Sequence, residues 1–219
     1  SDRFKEIKKL GLNFFGQSSN PTGIFNISNE AIQTFYQSTR YDYIIKNSDE
    51  GNNTRVIFNR TTGKYEVIVN LNNHYLTTAT QLSIARTIIH ESVHAYISYQ
   101  LNADLSYLSE FYSKYEKYLQ ARNPTMNRAQ HELMGEYVEM MAYSLKTWDI
   151  LYGNGLQGNP ILEDDYYRSL AFAGLFKDGS QIPTDSFKAL VPKESDRQKI
   201  IDIIKNEQNG ENSKGTLCK

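Results

Sequence analysis

The sequence has 219 residues, enough for one sizeable core, and it shows neither an internal repeat nor a Gly/Ser-rich linker. A formal net charge of -1 and a pI near 6.4 leave no cationic surface for nucleic acid or an anionic membrane, and no apolar run approaches the roughly 20 residues of a membrane span. The only cysteine, Cys218, lies beside the C-terminus, which excludes an intramolecular disulfide and a cysteine-built metal site. We therefore expect a single domain with no nucleic-acid or membrane partner.

The N-terminal part of the chain has helical and then strand-like patterns. Residues 1–10 and 28–38 have the spacing of amphipathic helices. Three runs rich in β-branched and aromatic residues follow, and they predict a meander of strands over residues 41–45, 54–58 and 65–71. We expect the helices to cover the side of the last strand formed by Tyr65, Val67, Val69 and Leu71.

The rest of the chain is mainly helical in its pattern. Apolar residues at helical spacing predict helices over residues 78–101, 105–121, 127–151, 165–176, 183–190 and 193–207. The sequence thus predicts an α+β fold, in which a small antiparallel or mixed sheet of about three strands packs on a mainly helical domain. This single domain covers residues 1–210, strand-rich at 41–72 and helical at 78–207, and the polar tail 211–219 is expected to be disordered.

The helix predicted over residues 78–101 contains the motif His-Glu-x-x-His. His90 and His94 lie four residues apart, on one helix face and about one turn from each other, so both can bind one metal ion. Glu91 lies about 100° further around the axis, where it can act as a general base on water at the metal without competing for the metal. The surrounding residues are apolar, so the helix is expected to be buried. Metal binding relieves the desolvation cost of these buried groups, whereas the alternative is a pair of hydrogen-bonded core histidines.

A catalytic zinc site has three protein ligands and one open position for water, and the motif supplies two ligands. The extended metzincin motif has a glycine three residues and a histidine six residues after the second histidine. Ile97 and Gln100 occupy these positions here, which excludes that class. The third ligand is therefore expected from a distant segment.

The helix predicted over residues 127–151 supplies candidates for the third ligand. His131 is the expected ligand, because it is one of two histidines outside the motif and lies on a helix whose apolar face can pack on the first. Glu136 is the alternative, either as a ligand or as a carboxylate that hydrogen-bonds a ligating histidine. Tyr137 is a candidate donor to the oxyanion, although a core tyrosine is the simpler interpretation. The remaining candidates near the site are Glu132, Glu139 and the expected loop residue His74.

A site of three histidines favours zinc, with one ion per chain, because divalent zinc prefers nitrogen ligands. Zinc lowers the pKa of its water towards about 7 and polarises a peptide carbonyl. Glu91 then takes the proton of the water and passes it to the leaving amine. The pattern is therefore typical of a metal-dependent hydrolase that acts on peptide bonds.

The segment Thr87-Ile88-Ile89-His90-Glu91-Ser92-Val93-His94-Ala95, together with His131-Glu132-Leu133-Met134, resembles the zincin metallopeptidases. More closely, it is similar to the SprT-like metallopeptidase domains of bacterial, particularly Bacteroidetes-type, proteins, over about residues 65–175. The resemblance implies a zincin-like fold, with an apolar strand before the active-site helix and a histidine on a later helix, which corresponds to His131. The cysteine-rich zinc ribbon of DNA-associated members is absent, so repair of DNA–protein crosslinks is not implied.

The leading hypothesis is a zinc metallopeptidase that acts on a protein or peptide. Similar domains occur at the C-termini of large exported bacterial proteins, including polymorphic toxins, and the start at Ser1 suggests a processed form or a piece of a longer protein. A second hypothesis is therefore an exported effector domain whose activity a cognate inhibitor or immunity protein holds off. A third is a non-catalytic binding module stabilised by its metal. Both a cytoplasmic and an exported location are compatible with the sequence.

Overall fold

The computed structural model describes residues 38–102, 126–177 and 180–217. This described part of the chain contains a three-stranded mixed sheet and seven α-helices, so the α+β prediction is confirmed. Its helices include none that is long and apolar enough to cross a membrane. Three predicted helices lie outside the described residues, namely those over 1–10, 28–38 and 105–121, of which only residue 38 is described.

The sheet consists of β1 (Tyr41–Ser48), β2 (Asn53–Asn59) and β3 (Lys64–Asn72), which confirms the three predicted strands. The predicted meander is wrong, because the strand order is β1-β3-β2, with β1 parallel and β2 antiparallel to β3. β3 carries five consecutive buried residues, whereas β2 has none. The most apolar strand takes the central position, where both of its edges are paired, and the polar strand β2 takes an edge.

Two helices follow the sheet directly. The short helix α1 (Asn73–Thr78) leads into α2 (Gln81–Asn102), which contains the histidine motif. Thr80 caps α2, since its hydroxyl oxygen accepts a hydrogen bond of 3.1 Å from the backbone N–H of Ser83. The helix predicted over residues 78–101 thus begins at Gln81, directly after its Thr80 cap, and ends at Asn102.

One face of the sheet packs on α2, as predicted. Val69 and Leu71 of β3 join Ile84 and Ile88 of α2 in one buried cluster, and Val67 joins Ala95 in another. The opposite face of α2 contributes to the main core, through Leu82, Ile89, Val93 and Ile97. The helix is therefore enclosed between the sheet and the other helices, which explains why its pattern is apolar nearly all round.

The helix predicted over residues 127–151 is interrupted. It forms α3 (Met126–Met134), a 3-10 turn at Gly135–Tyr137 and α4 (Val138–Tyr152). A Cβ atom at Gly135 would lie 2.6 Å from the Cβ of Ser186, so the bend depends on a glycine at this close contact. The interruption sets the direction of α3 relative to α4, and α3 carries His131.

The remaining helices are α5 (Asp164–Ala171), α6 (Asp185–Leu190) and α7 (Glu194–Asn209). The helix predicted to continue to 176 ends at Ala171, and a turn follows in which Gly174 has φ +91, a backbone conformation that an α-helix cannot contain. The predicted end of α7 is confirmed, since Gly210 caps it in the left-handed conformation.

Residues 211–217 differ from the expected disordered tail. The carboxylate of Glu207, which is fully buried, accepts hydrogen bonds from the backbone N–H groups of Lys214 at 2.7 Å and Gly215 at 3.0 Å. It also accepts one from the hydroxyl of Thr80, just before α2. A buried carboxylate needs such donors. These hydrogen bonds hold the polar segment after α7 against the rest of the domain.

Candidate metal centre

Three histidines from two helices form one cluster. His90 and His94 lie on α2 and His131 lies on α3, and one ring nitrogen from each lies within 4.8 Å of those from the other two. His90 and His94 are buried, with 5% and 7% of their surfaces exposed, whereas His131 is half-buried. The structure thus brings together the three residues expected from the sequence, in an arrangement that could hold a metal ion.

Hydrogen bonds fix the tautomers of two of these rings. His94 Nδ1 lies 2.6 Å from Gln130 Oε1, and the amide of Gln130 is oriented by its own bond to Ser98 Oγ at 3.4 Å. His131 Nδ1 lies 3.1 Å from the backbone carbonyl of Phe176. Both oxygens can only accept, so the proton of each neutral ring is on Nδ1 and each Nε2 carries a lone pair.

The two lone pairs face each other. His94 Nε2 and His131 Nε2 are 3.1 Å apart, which is a hydrogen-bonding distance. When both rings are neutral and protonated on Nδ1, neither nitrogen has a proton to donate. Two lone pairs at this distance repel each other, and a cation between them turns the repulsion into ligation. The donor set therefore fits a metal ion, because the bonds at Nδ1 orient both rings in the way that bonds behind ligating histidines usually do.

His90 is held by packing. The Nδ1 atom of its ring is buried and has no hydrogen-bond partner among the described residues. Gly174 lies directly against the ring, since a Cβ atom there would be 2.4 Å from Cε1 and 2.6 Å from Nε2 of His90. The turn after α5 thus contacts two of the three histidines, because Phe176 in the same turn accepts the hydrogen bond of His131.

Burial sets the protonation state of the histidines on α2. It lowers the pKa of His90 well below its ordinary value, and the charges that His94 and His131 carry when protonated, together with that of Arg86, lower it further. Burial also lowers the pKa of His94 to about 4, although the hydrogen bond to Gln130 opposes this effect. Both rings are therefore neutral at pH 7, in the form that binds metal ions.

Glu91 is buried beside the cluster, with 5% of its surface exposed. The hydroxyl of Thr54, on β2, donates to its Oε2 at 2.7 Å and to its backbone carbonyl at 3.1 Å. Burial raises the pKa of Glu91 to about 6, while the bond from Thr54, the charge that His131 carries when protonated and the charge of Arg86 lower it. Most Glu91 side chains are therefore ionised at pH 7, and the carboxylate can take up a proton.

The other residues considered in the sequence lie outside the cluster. Glu136 is exposed and does not contribute a ligand atom to the three-histidine group, and the side chain that hydrogen-bonds His94 is Gln130 instead. Tyr137 is half-buried and packs against the main core. Glu132 accepts hydrogen bonds from the backbone N–H groups at the start of α6, and Glu139 forms an exposed ion pair with Arg168. His74, expected in a loop, lies instead on α1, where it is exposed.

Three contributors to the site were not predicted from the sequence: Thr54, Gln130 and Gly174. Gly174 had a usable signal, because a glycine near the end of a helical pattern often marks the turn that ends the helix. Gln130 had a weaker one, as the neighbour of a predicted ligand. Thr54 had none, since it lies 37 residues from Glu91 and resembles the other threonines of the strands.

No protein-family model matches this chain, and comparison with curated proteins and with solved structures finds no match either. The fold and the site therefore define the protein only by class. It is an α+β protein whose described residues include a histidine cluster that could hold a metal ion, beside a buried carboxylate. The distances, burial and charges at this site are the basis from which its function is inferred.

Replacing Gly174 by alanine is expected to weaken metal binding more than tenfold, because the new methyl group occupies the position of the His90 ring. Gly158 provides a matched control: it has φ +72, but nothing lies within 4 Å of its Cβ position. Gly158→Ala should share the backbone strain, about 1 kcal/mol, without moving a ligand. Competition with a chromophoric chelator measures both affinities, and equal zinc affinities for the two variants would contradict the role of Gly174.

Acid is expected to destabilise the metal-free protein. Below pH 6.5 the histidines of the unfolded chain take up protons, whereas folded His94 does so only near pH 4, so stability falls through this interval. Glu91 acts in the opposite direction, because between about pH 6 and 4.5 the folded state binds a proton that the unfolded state does not. Urea unfolding at pH 7.5, 6.5 and 5 measures the sum of these two effects on the free energy of unfolding. In Glu91→Gln only the loss remains, about 1 kcal/mol per pH unit for each of His90 and His94, and a flat profile in that variant would be inconsistent with buried neutral histidines.

Proposed function

We propose that the protein is a zinc-dependent metallopeptidase with a zincin-like fold. One zinc ion binds to His90, His94 and His131, and Glu91 acts as the general base in the hydrolysis of peptide bonds. The observation that carries this proposal is the 3.1 Å contact between His94 Nε2 and His131 Nε2, two lone pairs directed at one point beside a buried carboxylate. Such an arrangement is costly without a cation and favourable with one.

The donor set supports zinc over other divalent metals. Three imidazole nitrogens suit zinc, whereas magnesium and calcium prefer oxygen ligands. Zn–N distances of about 2.0–2.1 Å in a tetrahedron give a separation of about 3.3 Å between two ligand nitrogens. The 3.1 Å between His94 Nε2 and His131 Nε2 is close to that value, and the ligand nitrogen of His90 lies within 4.8 Å of both. Three ligands leave one position open for water, and the partial exposure of His131 leaves this side accessible.

Glu91 has the properties that a general base needs here. Bound zinc supplies a lowered pKa for water and polarisation of the scissile carbonyl. Glu91 follows His90 on α2 and is largely ionised at pH 7, because its pKa is about 6. Thr54 holds Oε2, so Oε1 accepts the proton from water and delivers it to the nitrogen of the departing amine. Thr54 thus fixes the rotamer of the base and leaves one oxygen for proton transfer.

The sheet supports an extended peptide as the substrate. β2 is an edge strand of the described sheet, and its Thr54 contacts Glu91. An extended peptide that adds to this edge would run past the site, with main-chain hydrogen bonds that do not depend on its sequence. Ile57 and Phe58 on β2 are 47% and 53% exposed, and they offer apolar surface to side chains of the peptide.

Zinc stoichiometry tests the metal site. Mass spectrometry of the purified protein should find one zinc per chain, and His131→Ala should lower zinc affinity by more than about tenfold. His74→Ala is the matched control, because His74 is an exposed histidine on α1 outside the cluster. Full zinc retention in His131→Ala would refute the three-histidine site, and absence of zinc from all three proteins after incubation with zinc would refute the metal centre.

Replacing Glu91 by glutamine tests the chemistry. The variant should keep its zinc, since Glu91 is not a ligand, and should hydrolyse peptides about 10²- to 10⁴-fold more slowly. A peptide library derived from a proteome, with mass spectrometry of newly formed termini, provides an assay that does not require the substrate to be chosen in advance. Glu136→Gln, at an exposed carboxylate on the turn after α3, should cleave at the parent rate. Unchanged cleavage by Glu91→Gln would exclude the proposed base, and a zinc-bound parent that cleaves nothing would favour a binding module.

A further inference from the structure

Arg86 is a buried cation that the metal centre does not explain. It lies on α2 with 7% of its surface exposed, and its Nε has no hydrogen-bond partner among the described residues. None of the ion pairs between described residues involves Arg86. Arginine is almost never fully buried without a partner, because the guanidinium loses its hydration on burial. A buried guanidinium with no ion pair in the described part of the chain therefore requires an explanation.

The position of Arg86 places it beside the candidate metal centre. It precedes His90 by four residues and His94 by eight, so the three side chains follow each other along one stripe of α2. Its positive charge also contributes to lowering the pKa values of both His90 and Glu91, which indicates that the guanidinium is within electrostatic reach of both groups. The cation is thus in line with the ligands, one helical turn before the first of them.

The charges of the site leave room for an anion. Glu91 is its only buried carboxylate within the stretch from Arg86 to His94, and one of its oxygens is already bound by Thr54. The histidines are neutral ligands, so a bound divalent zinc ion keeps its full charge. Zinc and Arg86 together then exceed the negative charges of Glu91 and of Glu132, the buried carboxylate that follows His131 on α3. A site with such an excess of positive charge attracts an anionic group of the molecule that it binds.

We propose that Arg86 forms an anion subsite next to the metal centre, and that it binds a carboxylate of the peptide substrate. The identity of the ligand as a peptide rests on the proposed function. The guanidinium presents Nε–H and Nη–H side by side, a pair that matches the two oxygens of a carboxylate. The carboxylate comes either from the C-terminus of the peptide or from an Asp or Glu side chain. The subsite thus makes the protein selective for peptides that carry a negative charge near the scissile bond.

Binding of peptide pools to the zinc-loaded Glu91→Gln protein tests this subsite without turnover. Three fluorescent hexapeptide pools are compared by anisotropy: acidic residues with a free C-terminus, the same sequences with an amidated C-terminus, and sequences with Asn and Gln in place of Asp and Glu. One of the two altered pools should bind at least about tenfold more weakly, as expected for loss of a charge-assisted pair, and it identifies the source of the carboxylate. Equal binding of the three pools, or binding of none, would overturn the subsite.

Variants at Arg86 separate recognition from structure. In the Glu91→Gln background, Arg86→Met should abolish the difference between pools with unchanged zinc content, and Arg86→Lys should retain part of it. Removal of an uncompensated buried charge should leave the melting temperature of the metal-free protein unchanged or higher. A marked fall in melting temperature for both Arg86 variants would instead assign Arg86 a structural role and overturn the proposal.

The outcomes also distinguish this inference from the proposed function. If the parent protein cleaves no peptide, but the affinities of the three peptide pools still differ in an Arg86-dependent way, the peptidase is refuted and the anion subsite is retained. Cleavage of the peptide library with no preference for carboxylates, unchanged in Arg86→Met, would retain the peptidase and refute the subsite.

Discussion

The contact between the Nε2 atoms of His94 and His131 is the constraint on which the rest of the site depends. The two nitrogens are 3.1 Å apart although their residues are 37 positions apart in the chain. Each ring is oriented by a hydrogen bond at its Nδ1, from His94 to Gln130 and from His131 to the carbonyl of Phe176. A cation would convert the repulsion between the two lone pairs into ligation. Metal binding would therefore stabilise the packing of α3 on α2 as well as the site itself.

One turn of α3 connects three parts of the molecule. Gln130 hydrogen-bonds His94 of α2, His131 contacts the turn after α5, and Glu132 accepts the backbone N–H groups at the start of α6. Successive residues of a helix point about 100° apart, so a single turn can reach three neighbours at once. The bend at Gly135 contributes to this arrangement, because it allows the axis of α3 to differ in direction from the axis of α4. The position of His131 thus follows from packing in the second half of the domain.

Local patterns predicted what depends on local spacing. The three strands, the helix that carries the motif and the pairing of His90 with His94 follow from periodicities of two and 3.6 residues. The strand order, the break at Gly135 and the contact of Thr54 with Glu91 could not be predicted in this way. Each depends on a close approach between distant segments. At Gly135, for example, an added Cβ atom would lie 2.6 Å from the Cβ of Ser186. His131 was predicted in spite of its distance, because few histidines compete for the role.

The polar residues of α2 are the places where the sequence departs from the rules of a buried helix. A helix enclosed on both sides by apolar clusters should contain no arginine, glutamate or histidine, yet Arg86, His90, Glu91 and His94 are all buried in it. Among these, Nε of Arg86 and Nδ1 of His90 have no partner in the described part of the chain. Proteins tolerate such costs mainly at functional sites. The proposed metal explains the buried histidines, and the proposed role as base explains Glu91. The desolvation cost of burying Arg86 is offset by the anion that the proposed subsite binds.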